Sequence, residues 1–94
     1  MYHERMQYDK VSEFKRCVGK VIKKLRTEQA KLSLDKLAYG YDFDKGNLSK
    51  TENGMYCIYL MTAYRLSEAL GIKFSDFAKA LEDELGDDFS FYDD

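Results

Sequence analysis

The chain has little of what catalysis, secretion or a membrane-embedded life requires. Two of its 94 residues are cysteine, Cys17 and Cys57, and one is histidine, His3. Two distant cysteines without a second pair make neither a disulfide framework nor a zinc-ligand spacing, so each reads as a small buried hydrophobe. Chemistry between Cys57 and His3 would need the terminus to fold back. No nucleophile stands beside a base, so the sequence predicts no catalytic residue, no metal site and no cofactor. No apolar run approaches the roughly 20 residues that span a bilayer, and the opening MYHERMQYDK lacks a signal-peptide core. The protein is expected to stay in the compartment where it is made, without a membrane partner. In that compartment the triplet Asn47-Leu48-Ser49 is a chance match to a glycosylation acceptor.

A large net charge is also missing. The total is only -2, which at first sight speaks against a nucleic-acid partner. Its distribution reverses that reading, because residues 1–50 hold 12 Lys/Arg against 7 Asp/Glu while residues 51–94 hold 3 against 10. A basic half and an acidic half result, and a phosphate contact depends on local potential rather than on the total. With 45% hydrophobic and 34% charged residues the composition is that of a globular chain, and its length suits one domain.

The stretch LAYGYDFDKGNLSKTENG, residues 37–54, organises the rest. Ser33 is a good N-cap for a short helix that closes on Leu37 and Ala38. Gly40, Asp42 and Asp44 crowd into five positions and tolerate the backbone of a tight turn. Asp44 is placed to cap a second helix beginning at Lys45. At about 100° per residue, Leu48, Thr51 and Glu52 share one side of that helix, and Gly46, Asn47, Ser49 and Lys50 the other. Weak helix formers on the outer side suit close approach to another surface: Gly46 sits at its middle, with the Asn47 amide and the Lys45 and Lys50 ammonium groups around it. In a DNA major groove such an Asn can bind adenine bidentately and such a Lys can reach guanine or phosphate.

These residues resemble the XRE, or lambda-repressor-like, helix-turn-helix family. Val18-Gly19 through Ile22, Leu25 and Arg26 look like its first helix, Leu32-Ser33 to Leu37-Ala38 like its second, Phe43 like its buried turn residue, and Leu48-Ser49 with Glu52-Asn53-Gly54 like its recognition helix. Ala69-Leu70-Gly71 closes the fourth helix. The resemblance implies an all-α fold, a five-helix lambda repressor-like DNA-binding domain, with Lys45, Gly46, Asn47 and Lys50 facing bases and Ser33, Ser49 and Asn53 facing backbone. It also implies an Arg26–Glu52 pair between the first and recognition helices, needed because a carboxylate on the Leu48 side wants a partner. The chain departs from the family pattern at several points: Leu34 stands where Gln is frequent, Asp42 where the turn glycine is usual, and Ile58 where proline often precedes the fourth helix. Met55, Tyr56 and Cys57 replace basic residues, and one extra residue lies between Arg26 and Leu32.

Around this centre, residues 1–10 form an arm or a helix extension with Tyr2, Met6 and Tyr8 among mixed charges; residues 11–85 form the domain; and residues 86–94 form an acidic, aromatic tail. Val11, Phe14, Val18, Val21, Ile22 and Leu25 recur at helical spacing, opposite Lys15, Arg16, Lys20, Lys23 and Lys24. That basic arc is either a solvated face or part of a phosphate contact. Met55 to Tyr59 could stack on sugar or on a partner chain, or be buried. Leu60, Ala63, Leu66, Ser67 and Leu70 give the fourth helix its inner stripe. A fifth helix from about Ser75 to Leu85 carries Phe77, Ala78, Leu81 and Leu85, a stripe that closes the core or joins two subunits. The tail reads first as a solvated end, although the alternation in Phe89-Ser90-Phe91-Tyr92 permits a short strand or capture by a protein partner.

Two functions fit these readings. The first is a cytoplasmic, bacterial or phage-type transcriptional repressor that binds double-stranded DNA at a palindromic operator as a homodimer. The second is a protein-interaction module on the same fold, an antitoxin-like or anti-regulator subunit acting through its acidic tail.

Overall fold

The apolar periodicity of the first third of the chain becomes one helix, α1, over Tyr8–Lys24, which buries Val18, Val21 and Ile22. The computed structural model describes residues 5–92. His3, the possible partner of Cys57, lies outside the described residues, as do Tyr2 of the arm and the last two acids of the tail. Four further helices follow: α2 over Leu34–Gly40, α3 over Lys45–Glu52, α4 over Leu60–Ala69 and α5 over Phe74–Leu85. Among the described residues the fold is all-α, its one β feature being a single bridge between Met6 and Tyr92.

Ile22, Leu37 and Leu66 are fully buried and bring α1, α2 and α4 to one centre. Each such side chain contributes roughly 1.5–3 kcal/mol by leaving water. Helix α1 crosses α3 at Gly19, where an added Cβ would fall on the carbonyl oxygens of Thr51 and Glu52. The missing side chain therefore sets the distance between the two helices. On its other side α1 meets α5, which closes the core with Phe77, Ala80 and Leu81, and Lys20 reaches Glu84 at 3.0 Å. Of the fifth helix's apolar stripe, Phe77 is thus buried and Leu81 packs on the core, while Ala78 and Leu85 stay half-buried.

The extra residue after Arg26 is accommodated by a π-helical turn, Leu25–Gln29, in which the Ala30 amide donates to Leu25 O, five residues back, at 2.9 Å. One inserted residue widens one turn, and α1 keeps its phase up to Arg26. Lys31 then takes φ 55, and the Leu32 amide donates to Arg26 O at 2.9 Å, which returns the chain to the start of α2.

The tail departs from the solvated reading. Phe89 and Phe91 pack their rings 6.0 and 5.3 Å from that of Phe14, and 5.1 Å from each other, edge to face. The Gln7 amide donates to Phe91 O at 2.7 Å, and Lys10 lies over the Phe89 ring at 5.5 Å. The cause is a division within α1: Val18, Val21 and Ile22 point into the core, while Phe14, a turn earlier, is left for the tail to cover. Three phenyl rings that would otherwise meet water are covered together.

The cysteines divide. Cys17 is half-buried on α1, and its thiol pKa is raised, first by burial and then by Glu84 and Glu13. Cys57 is exposed. Its loop is held at both ends, by the α3 cap and by Ile58 packed on the core, and bows outward between them, so the buried-hydrophobe expectation does not hold for it. Among the described residues no helix is long and apolar enough to cross a membrane, and no group of three or more His, Cys, Asp or Glu side chains could hold a metal ion.

Candidate nucleic-acid interface

Both helices of the central motif begin on side-chain caps. Ser33 Oγ accepts from the Lys36 amide at 3.1 Å, and Asp44 Oδ1 accepts from the Asn47 amide at 2.8 Å. Each cap satisfies one of the amides that a helix start leaves without an intrahelical partner. Between them the chain turns at Asp42, whose φ of 62 is the left-handed conformation that the family's glycine would supply. Aspartate is among the few other residues that enter that region readily.

The turn is clamped from α4. Arg65 Nη2 donates to Asp42 O at 2.8 Å and to Tyr41 O at 3.2 Å, and its guanidinium lies over the Phe43 ring at 4.4 Å. The Phe43 amide donates to Ala38 O at 2.8 Å. Sequence reasoning missed Arg65. Its signal was isolation, since it is the one Lys or Arg between Thr51 and Ile72.

The inner side of α3 is fixed by burial and charge. Leu48 and Thr51 are buried, and Thr51 Oγ1 donates to Asn47 O at 2.8 Å. Arg26 Nε donates to Glu52 Oε2 at 2.7 Å, Nη2 donates to Oε1 at 2.9 Å, and Nη1 donates to Leu32 O at 3.0 Å. The two side chains are 10% and 6% exposed, so this two-pronged ion pair is nearly removed from water. The hydrogen bond to Glu52 raises the Arg26 pKa against the opposing effect of burial. One guanidinium thereby ties the π-helical turn that follows α1, the chain just before α2 and the end of α3 together.

The outer side is open. Lys45, Gly46, Asn47, Lys50 and Asn53 are exposed, and Ser49 is half-buried. Lys45 Nζ meets Asp35 Oδ1 at 2.6 Å, a contact that raises the lysine pKa, first through the hydrogen bond itself. Lys50 Nζ lies 5.3 Å from the centre of the Tyr56 ring and donates to its hydroxyl at 3.3 Å. Surface pairs of this kind are weak and exchange readily for a phosphate. Ser33 is also exposed, and while its lone pair caps α2 its hydroxyl proton remains available for donation.

Helix α3 ends at Asn53, and Gly54 takes φ 78 with its Cα against Arg16 of α1. Arg16 therefore stands at the C-terminal end of α3. Lys15 lies on the wall of a cleft of about 560 Å³ that also includes Asn47, Tyr56, Tyr59 and Arg65. The basic arc of α1 is thus divided: Lys15 and Arg16 lie on the α3 side, Lys20 is drawn to Glu84 of α5, and Lys23 and Lys24 are exposed. The face around α3 presents donors and cations on a rigid helix.

No family model matches the chain. Among curated proteins it is similar to the control protein C.MunI of Mycoplasma sp, with 35% identity over 66 residues, covering 70% of this chain and 89% of that protein.

Proposed function

The chain belongs to the helix-turn-helix regulator family of the control protein C.MunI, and we propose that it acts on a palindromic operator as a homodimer of XRE type. It is a DNA-binding transcriptional regulator. The finer reading, a cytoplasmic repressor encoded by a bacterium or phage, belongs to this proposal.

One observation carries the reading: α3 is held rigidly by Leu48, Thr51 and the Arg26–Glu52 pair while it turns Lys45, Gly46, Asn47 and Lys50 to the outside. In this arrangement Asn47 and Lys50 meet base edges, Gly46 lets the helix approach, and Lys45 exchanges Asp35 for guanine or phosphate. Ser33, Ser49 and Asn53 contact the backbone and fix the register. Two copies on a palindrome would place their recognition helices about one turn of DNA apart, roughly 34 Å.

The second reading, an interaction module acting through the acidic tail, draws support from Asp87 and Asp88, which stay exposed after the tail docks. Binding-site selection on genomic DNA separates the two, with the full chain, Lys50→Ala and a chain truncated after Leu85. An enriched inverted repeat that weakens with Lys50→Ala is the outcome expected of the DNA reader, and its affinity should fall steeply with salt. Failure of all three proteins to enrich any sequence would leave the interaction module.

A further inference from the structure

The residues that carry the family resemblance begin at Val18, and the last helix, α5, ends at Leu85. Two segments stand outside that frame, residues 8–17 at the front of α1 and the tail from Gly86 onward. They pack on each other. Phe14 meets Phe89 and Phe91 with ring centroids 6.0 and 5.3 Å away, and Lys10 lies over the Phe89 ring. The Gln7 amide donates to Phe91 O at 2.7 Å, beside the bridge between Met6 and Tyr92.

This contact stands where the rest of α1 has the core. Among the described residues none before Val18 is buried, and an isolated helix of about ten residues is marginal in water. Yet this front part carries the two cations on the α3 side. Lys15 lines the cleft that also includes Asn47, and Arg16 backs Gly54 at the end of α3. From Phe14 the helix turns by about 100° to Lys15 and about 200° to Arg16. The tail therefore grips one side of α1 and leaves Lys15 on the cleft wall and Arg16 exposed.

We propose that the tail is a splint: by seating Phe89 and Phe91 on Phe14 it keeps the front of α1 helical and so adds Lys15 and Arg16 to the DNA footprint as phosphate contacts. Phe14, Phe89 and Phe91 are then positioning residues, acting through two cations that they do not touch. Two features distinguish a splint from an acidic plug. The rings and a backbone bond make the contact, while Asp87 and Asp88 stay exposed. The tail also leaves α5 through Gly86 at φ 86 and ψ 163, a conformation reserved for glycine, which leads it from Glu84, paired with Lys20, to Phe14 and Gln7.

The proposal rests on the DNA reading above, and two measurements on the full chain keep them apart. Hydrogen exchange without DNA follows the helix. Affinity for a DNA duplex of mixed sequence, titrated with salt, follows the phosphate contacts, which do not depend on sequence. The ring variant, Phe89→Ser with Phe91→Ser, undocks the tail and keeps its charge. Gly86→Ala strains the turn and keeps rings and charge. The acid variant, Asp87→Asn with Asp88→Asn, keeps the docking. The cation variant, Lys15→Gln with Arg16→Gln, keeps both side-chain stems and is also combined with the ring variant.

In the ring variant the amides of residues 12–17 should exchange at least about tenfold faster while those of α3 and α4 stay protected. Its affinity should fall at least about tenfold at roughly 0.1 M salt, and its logarithmic salt slope should become shallower by about two, at about 0.9 per phosphate lost. Gly86→Ala should move both readings in the same direction, and the acid variant should leave exchange unchanged and raise affinity less than about threefold. Added to the cation variant, the ring variant should cost no further affinity, which a general loss of stability would not predict. Unchanged exchange over residues 12–17 would overturn the splint whatever the protein does with DNA. So would tighter binding by the ring variant, the mark of a tail that competes with DNA, or an equal loss with and without the two cations. If the wild type binds no DNA while the ring variant still loosens α1, the DNA reading fails and the phosphate role with it, and the hold of the tail on α1 stands.

Discussion

The two sides of α3 are built on opposite terms. On the inner side, Glu52 is 6% exposed and answers Arg26 through two hydrogen bonds, and Gly19 leaves no room for a methyl group beneath the helix. On the outer side, Lys45 and Lys50 hold only surface partners, and Asn47 and Asn53 are open to water. The inner side has one arrangement available to it, whereas the outer side can exchange each contact for another. A reader of DNA needs this division, because base contacts carry sequence information only if the helix that presents them does not shift.

The comparison is broken most severely from inside. Glu52→Ala leaves Arg26 charged and nearly buried with only Leu32 O as a partner, and should lower stability by roughly 3–5 kcal/mol. Chemical denaturation checks this, and an unchanged midpoint would show that the pair holds nothing. Gly19→Ala comes next. Its methyl group would press on the Thr51 and Glu52 carbonyls, and the separation of α1 and α3 needed to relieve it should cost about 1–3 kcal/mol. Because that movement tilts the recognition helix, DNA affinity should fall together with stability. Asp44→Ala removes the cap bond to the Asn47 amide and should cost about 1 kcal/mol, visible as a lower melting temperature.

What could be read from the sequence follows the range of the interaction that decides it. Both cap residues, the helix starts at Leu34 and Lys45 and the stop after α4 are local matters, settled by side chains within four residues of the backbone they serve, whereas the five-helix, all-α architecture was what the resemblance to the XRE family implied. The π-helical turn was visible only as an unexplained extra residue, because its placement depends on keeping Arg26 in register with Glu52, twenty-six positions away. Arg65 escaped notice for the same reason, since the carbonyls that it clamps belong to another helix pair. The tail was misjudged because its composition, acidic and terminal, argued for solvation, while the decisive fact was an uncovered Phe14. At the candidate site, alternation of inner and outer residues along α3 could be read from helical geometry; the partners that hold Lys45 and Lys50, Asp35 and Tyr56, could not, because each is set by the folded approach of another segment.

The smallest stability effect is expected from the outer side, and it sharpens the comparison most. Lys50→Ala removes an exposed side chain whose only described contacts are with Tyr56, so its unfolding free energy should stay within about 0.5 kcal/mol of the wild type. On DNA the same substitution should matter in one of two distinguishable ways. If Lys50 reads a base, discrimination at one operator position should relax by roughly 1–3 kcal/mol while the salt dependence is little changed. If it meets a phosphate, affinity should fall evenly across sequences and the logarithmic salt slope should become shallower by about one. Denaturation and salt titration of one variant therefore test both terms of the contrast. A large loss of stability would mean that the outer side of α3 also supports the fold, and the division of labour between its two sides would have to be given up.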